Sequence, residues 1–207
     1  MSKIYEKVLR SEDFALIRML PDYIKNKFYL GGGTGLALQI GHRYSYDFDF
    51  FSITEFNNDV IKKYLVQLGK FSLFQESKGT LEGVINKTRI SFLYYNYPLL
   101  SPVIYFNNIR LASINDIAAM KISALSGRGS RKDFIDLYYL KDHFSWDKLL
   151  NSFKKKYKGT GYNIYHIIKS LAYFEQAEHE PMPRMILSCS WPEVVEYFKT
   201  IQKELAD

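Results

Sequence analysis

The chain has 207 residues, enough for one compact unit or two small lobes sharing a core. A hydrophobic fraction of 47% excludes a disordered chain, and no apolar run approaches the ~20 residues that a membrane helix needs. The net charge of +6, from 28 basic and 22 acidic residues, permits an acidic partner such as a nucleotide, RNA or an acidic protein without demanding one. The N-terminal Met-Ser-Lys-Ile-Tyr-Glu-Lys lacks the apolar core of a signal peptide. The single cysteine, Cys189, rules out an internal disulfide and fits a reducing cytoplasm. His42, His143, His166 and His179 are too scattered for a zinc site of the Cys/His type.

In chain order, Ser11 is a candidate N-cap for a helix through Leu16, Ile17 and Leu20, ended or kinked by Pro21. Lys27 to Leu30 reads as a short strand, and Gly31, Gly32 and Gly33 break it. Leu36, Ala37, Leu38 and Ile40 open an apolar helix, and Tyr46 to Phe51 returns as a second strand. Asn57 or Asn58 then caps a helix with Val60, Ile61, Tyr64, Leu65 and Leu68 at helical spacing, closed by Gly69. Ser72 to Ser77, Leu81 to Ile85, Arg89 to Tyr95 and Val103 to Arg110 are predicted strands, with turns at Lys78-Gly79, Asn86-Lys87 and Pro98 to Pro102. After Leu111 the pattern is helical: a segment capped by Ser113 or Asn115, then Arg131 to His143, a helix from Ser145, one from Tyr162 to about Ala177, and a last helix capped by Ser190 with Pro192 in its first turn. The expected division is an α/β lobe over 1–113 and a helical lobe over 114–207.

Phe28 to Ser52 carries the chemistry. Side chains two apart on a strand share a face, so Asp47 and Asp49 are expected together, opposite Phe48 and Phe50. Paired carboxylates repel unless a cation sits between them, and Mg²⁺ takes one or two carboxylates plus substrate phosphates. The glycine run supplies the complement, because a backbone without Cβ and a helix N-terminus can both receive a phosphate. Thr34 can contact a phosphate or cap the helix. Arg43 can contact phosphate or pair with Asp47, and His42 can be structural. Lys154-Lys155-Lys156 reads either as a solvated helix face or as an RNA contact, and Tyr94, Tyr95 and Tyr97 as base-stacking rings or as core.

Gly32-Gly33-Thr34, Gly41-His42-Arg43 and Ser45-Tyr46-Asp47-Phe48-Asp49-Phe50-Phe51, with a second block from Asp116 to Leu140, resemble the nucleotidyltransferases of the AbiEii/AbiGii toxin type within the polymerase-β-like superfamily. The resemblance implies an α+β fold, with a nucleotidyltransferase-like mixed, mainly antiparallel sheet, flanking helices and a following helical lobe. It implies a metal-dependent toxin of a toxin–antitoxin or phage-defence pair. The enzyme would use Mg²⁺ or Mn²⁺ to move a nucleoside monophosphate from an NTP to a tRNA or protein hydroxyl, in the cytoplasm, with a cognate antitoxin as partner. Asp47 and Asp49 become the metal ligands and, with Lys121, the catalytic set. Gly32, Gly33, Thr34, Arg43, Lys121, Arg128, Lys132, Asp133 and Asp136 become the nucleotide site.

The superfamily usually adds a third carboxylate from a neighbouring strand. Here Ser91 stands at that place, and Glu82 is the nearest candidate substitute. The rival reading is therefore a module of the same fold that binds nucleotide or a partner protein without turnover.

Overall fold

The structure is a computed structural model and describes residues 3–206; the chain divides into two compact units, Met1–Ser113 and Ile114–Asp207. The first unit is built on a seven-stranded sheet, β1 (Tyr29–Leu30), β2 (Phe48–Ser52), β3 (Phe71–Ser77), β4 (Thr80–Ile85), β5 (Thr88–Tyr94), β6 (Ile104–Phe106) and β7 (Ile109–Leu111), in the order β3-β4-β5-β2-β1-β7-β6. It is mixed and mainly antiparallel; β2–β5 and β1–β7 run parallel. Helices α1 (Ser11–Met19), α2 (Asp22–Lys27), α3 (Gly32–Ile40) and α4 (Asn58–Leu68) belong to this unit.

The alternation in β2 does what the sequence predicts. Phe48 and Phe50 are wholly buried, and Phe50 stacks on Phe92 of β5 with ring centroids 5.4 Å apart. Leu16 and Ile17 of α1, Ile24 of α2, and Ile61 and Leu65 of α4 join the same core. Each such side chain contributes about 1.5–3 kcal/mol through apolar burial. The packing fixes which way β2 faces, so Asp49 points to the other side of the sheet.

Several boundaries differ from expectation. β2 begins at Phe48, which leaves Asp47 outside the strand. Val103 to Arg110 is a hairpin rather than one strand. Asn107 and Asn108 take φ of 47° and 64°, the left-handed pair that a tight two-residue turn requires. Arg10, not Ser11, precedes α1 as its cap.

The second unit contains α5 (Ile114–Gly127), α6 (Arg131–Leu140), α7 (Trp146–Lys156), α8 (Ile164–Ser170), α9 (Glu175–Glu178) and α10 (Trp191–Ala206). The helix expected from Tyr162 to Ala177 is two short helices, α8 and α9. Ser130 and Ser145 cap α6 and α7 by accepting hydrogen bonds from Asp133 N–H and Lys148 N–H. The core gathers around Phe134, whose ring meets Phe174, Trp191 and Phe198 at 4.9, 5.9 and 5.1 Å.

Candidate active site

Asp49 is the second residue of β2, half-buried and held on three sides. Its backbone carbonyl accepts from Gly31 N–H at 3.0 Å. Its Oδ1 accepts from Ser91 Oγ at 2.6 Å. Its Oδ2 lies 2.3 Å from the point where Gly32 would carry a Cβ. Gly32 also has φ +58°, a left-handed conformation that only glycine adopts without strain.

The next residue meets the opposite charge. A Cβ on Gly33 would lie 2.3 Å from Arg43 Nη2. Arg43 is buried, and its Nη1 donates to the Tyr44 carbonyl at 3.0 Å. A carboxylate and a guanidinium therefore rest on successive residues that lack Cβ. Both sit at the start of α3, where the first-turn N–H groups have no partner within the helix and carry the positive end of its dipole.

Thr34 is buried in that first turn, but Gly31 is the cap. The Thr34 hydroxyl lies 2.5 Å from the Asp47 carbonyl oxygen and 2.8 Å from Ser45 Oγ. It carries one proton; donation to the carbonyl leaves Ser45 to donate in turn. This ties α3 to the loop that delivers Asp47. Asp47 itself is exposed, in contrast to the clamped Asp49. His42 is wholly buried next to Arg43.

The sequence did not single out a second device under this loop. Asp13 of α1 is wholly buried, accepting from Arg10 Nε and Nη2 at 2.6 and 2.7 Å and from Thr88 Oγ1 at 2.5 Å. The Arg10 guanidinium lies 4.7 Å from the centre of the Tyr46 ring. Through Arg10, Asp13 pins the residue next to Asp47. The only local signal was the i,i+3 spacing of Arg10 and Asp13, because Thr88 is 75 residues away.

The sheet register locates Ser91 and Glu82. Asp49 pairs with Ser91 across β2–β5, and Ser91 pairs with Glu82 across β5–β4, so the three share one row and one face. Two strand spacings separate Asp49 from Glu82, about 10 Å between Cα atoms. The place of a third acid beside Asp49 is taken by the serine hydroxyl.

As donors for a divalent cation, the acidic side chains fit in part. Asp47 and Asp49 would supply hard carboxylate oxygens two residues apart in the chain. Among the described residues no group of three His, Cys, Asp or Glu side chains is placed to hold an ion.

In the second unit, Lys121 of α5 is buried, with its Nζ 2.9 Å from Asp133 Oδ1 and 2.5 Å from Asp136 Oδ2 of α6. Arg128 Nε adds a 2.8 Å bond to Asp133 Oδ2, and Ser130 Oγ donates to the same oxygen at 2.7 Å. Burial alone would push the Asp133 carboxyl up; Lys121 and Arg128 outweigh it and hold the group well below the usual carboxylate range. The second-block residues are thus brought together, except Lys132, which is exposed. Lys156, the last of the basic run, is wholly buried and donates to Asp116 Oδ1 at 2.9 Å. Of the three lysines only Lys154 and Lys155 face solvent. Tyr95 packs on Phe51 and Tyr97, with centroids 5.3 and 4.7 Å away, which favours the packing reading of Tyr95 and Tyr97, whereas Tyr94 is exposed.

The family model described as "Nucleotidyl transferase AbiEii toxin, Type IV TA system" matches residues 16–104 and 96–187. An uncharacterized protein of Aquifex aeolicus (strain VF5) is 39% identical over 204 residues, covering 96% of this chain and 97% of its own. The fold is similar to that of MenT4, a nucleotidyltransferase toxin from Mycobacterium tuberculosis H37Rv, with a TM-score of 0.57 at 15% identity over 94% of this chain and 82% of that one. It is also similar to JHP933 from Helicobacter pylori, with a TM-score of 0.52 at 16% identity over 98% and 95%. The family match spans both units, and the chain belongs to the AbiEii family of nucleotidyltransferase toxins.

Proposed function

We propose that this protein is a metal-dependent nucleotidyltransferase that moves a nucleoside monophosphate from an NTP to a hydroxyl of an RNA, such as a tRNA end, or of a protein side chain, as the cytoplasmic toxin of a toxin–antitoxin pair. The observation that carries this reading is the glycine turn. Asp49 and Arg43 press on Gly32 and Gly33 at the N-terminus of α3, so a cation-binding carboxylate and a phosphate-binding guanidinium flank one anion-receiving turn.

The chemistry asks for in-line positioning and for neutralisation of developing charge. Asp47 and Asp49 would hold Mg²⁺ or Mn²⁺, which supplies charge neutralisation on the triphosphate. Arg43 and the first-turn amides of Gly32, Gly33 and Thr34 bind phosphate oxygens. Asp49 arrives already oriented, whereas Asp47 is free to adjust to the substrate. Lys121, Arg128, Lys132, Asp133 and Asp136 are, in this reading, the nucleotide-contacting candidates that the second unit contributes by its family motif. Four of them form a charge-balanced cluster that fixes Lys121, and Lys132 offers an exposed cation.

The second reading, nucleotide or partner binding without turnover, is favoured by one observation: a serine beside Asp49 where a third acid would stand. Expression in a bacterial host separates the two readings. The enzyme reading expects growth arrest that the Asp47→Ala/Asp49→Ala double variant relieves while keeping its circular dichroism melt. A folded double variant as toxic as the wild type overturns it in favour of binding.

A further inference from the structure

We propose that Ser91 is a positioning residue for Asp49, so that the position without a third acid contributes by presetting the one metal-binding carboxylate that the fold holds rigid. The inference rests on the reading of Asp47 and Asp49 as the cation-binding pair.

Three observations converge. Ser91 Oγ donates to Asp49 Oδ1 at 2.6 Å, short for a hydroxyl bond and typical of one made to a charged oxygen. Ser91 is buried in β5 and directly paired with Asp49 in the parallel β2–β5 register, so the backbones hold donor and acceptor opposite one another. The other carboxylate oxygen fills the space that a Cβ on Gly32 would need, so the bare glycine admits the carboxylate beside the turn. The hydroxyl thus grips one oxygen while the glycine makes room for the other. An aspartate at position 91 would replace this donor with a like charge against Asp49. An alanine would remove the Ser91 hydroxyl bond from Oδ1. Hydrogen bonds that orient metal-binding carboxylates typically account for 10- to 100-fold in metal affinity.

The test uses full-length wild type, Ser91→Ala, Ser91→Thr and Asp49→Asn. Mn²⁺ is the probe, and its binding is followed by electron paramagnetic resonance with each of the four NTPs. Binding of NTP alone is measured by calorimetry in EDTA. Ser91→Ala is expected to weaken Mn²⁺ binding in the presence of NTP by about 10-fold or more. Ser91→Thr, which keeps the hydroxyl, is expected to stay within about threefold of wild type. NTP affinity in EDTA should be the same in both variants. Mn²⁺ binding by Ser91→Ala equal to wild type overturns the proposal, as does equal impairment of the alanine and threonine variants, which would indicate lost packing instead. If Asp49→Asn binds Mn²⁺–NTP as wild type does, the acid-pair reading itself falls and this proposal with it. If Asp49→Asn fails while Ser91→Ala succeeds, only this proposal falls.

Discussion

Asp49 Oδ2 occupies the space that any side chain on Gly32 would need, 2.3 Å from the position of a Cβ. The turn and the carboxylate are therefore one device. Gly32→Ala faces both that collision and a backbone φ of +58°. A loss of about 1–2 kcal/mol in stability is expected from the backbone conformation. Mg²⁺ should also cease to strengthen NTP binding, because Asp49 must move. Calorimetric titration with and without Mg²⁺ checks this, and a variant that retains the Mg²⁺ enhancement speaks against the linkage.

Gly33→Ala behaves differently. The obstructing atom is Arg43 Nη2, the far end of a flexible side chain, and Gly33 does not have a positive φ. The fold is expected to give way at little cost, under about 1 kcal/mol. Displacing the guanidinium should weaken NTP binding equally in Mg²⁺ and in EDTA. An NTP affinity that is unchanged in both conditions removes Arg43 from the phosphate site.

The features that are local in sequence were legible in it. The glycine break, the Phe48/Phe50 core face, and the caps at Asn57, Ser145 and Ser190 are decided within a few residues. What could not be read depends on partners far along the chain. Ser91 looked like a missing acid because its acceptor, Asp49, is 42 residues away. Lys156 looked like part of a solvated or RNA-contacting run, yet its partner Asp116 lies 40 residues earlier. The β6–β7 turn was hidden because Asn107-Asn108 sits inside a β-rich stretch, and only the paired positive φ values make it a hairpin.

The Lys156–Asp116 pair makes a test of burial against charge run. Lys156→Met takes away the buried ammonium that bonds Asp116, and a loss of about 3–5 kcal/mol is expected. Lys154→Met and Lys155→Met, at exposed positions of the same helix, should each change stability by less than about 0.5 kcal/mol. Denaturant melts of the three variants decide it; similar losses at all three positions contradict the assignment.

The depressed Asp133 carboxyl gives a pH dependence of defined sign. Its folded pKa lies below the ordinary carboxylate value of about 3.9. The stability it contributes is therefore fully present above that value and is lost as pH falls below it, through the folded pKa. Asp133→Asn should cost about 3 kcal/mol at neutral pH, because Lys121 and Arg128 lose a shared buried partner. The same variant should show a flatter decline of stability below about pH 4 than wild type. Equal acid slopes in melts from pH 5 to pH 2 would show that Asp133 does not couple to folding.

The most direct measurement is transfer itself. Wild type and Asp49→Asn, matched for their thermal melts, are incubated with each α-labelled NTP, Mg²⁺ or Mn²⁺, and total RNA or cell lysate. Wild type should move label onto an RNA or a protein in the presence of the cation and not in EDTA. Asp49→Asn should transfer at least about 10³-fold more slowly, since charge stabilisation in the transition state is commonly the largest catalytic term. Label transfer by Asp49→Asn at the wild-type rate, or cation-dependent NTP binding by wild type with no label on any acceptor, would contradict the account.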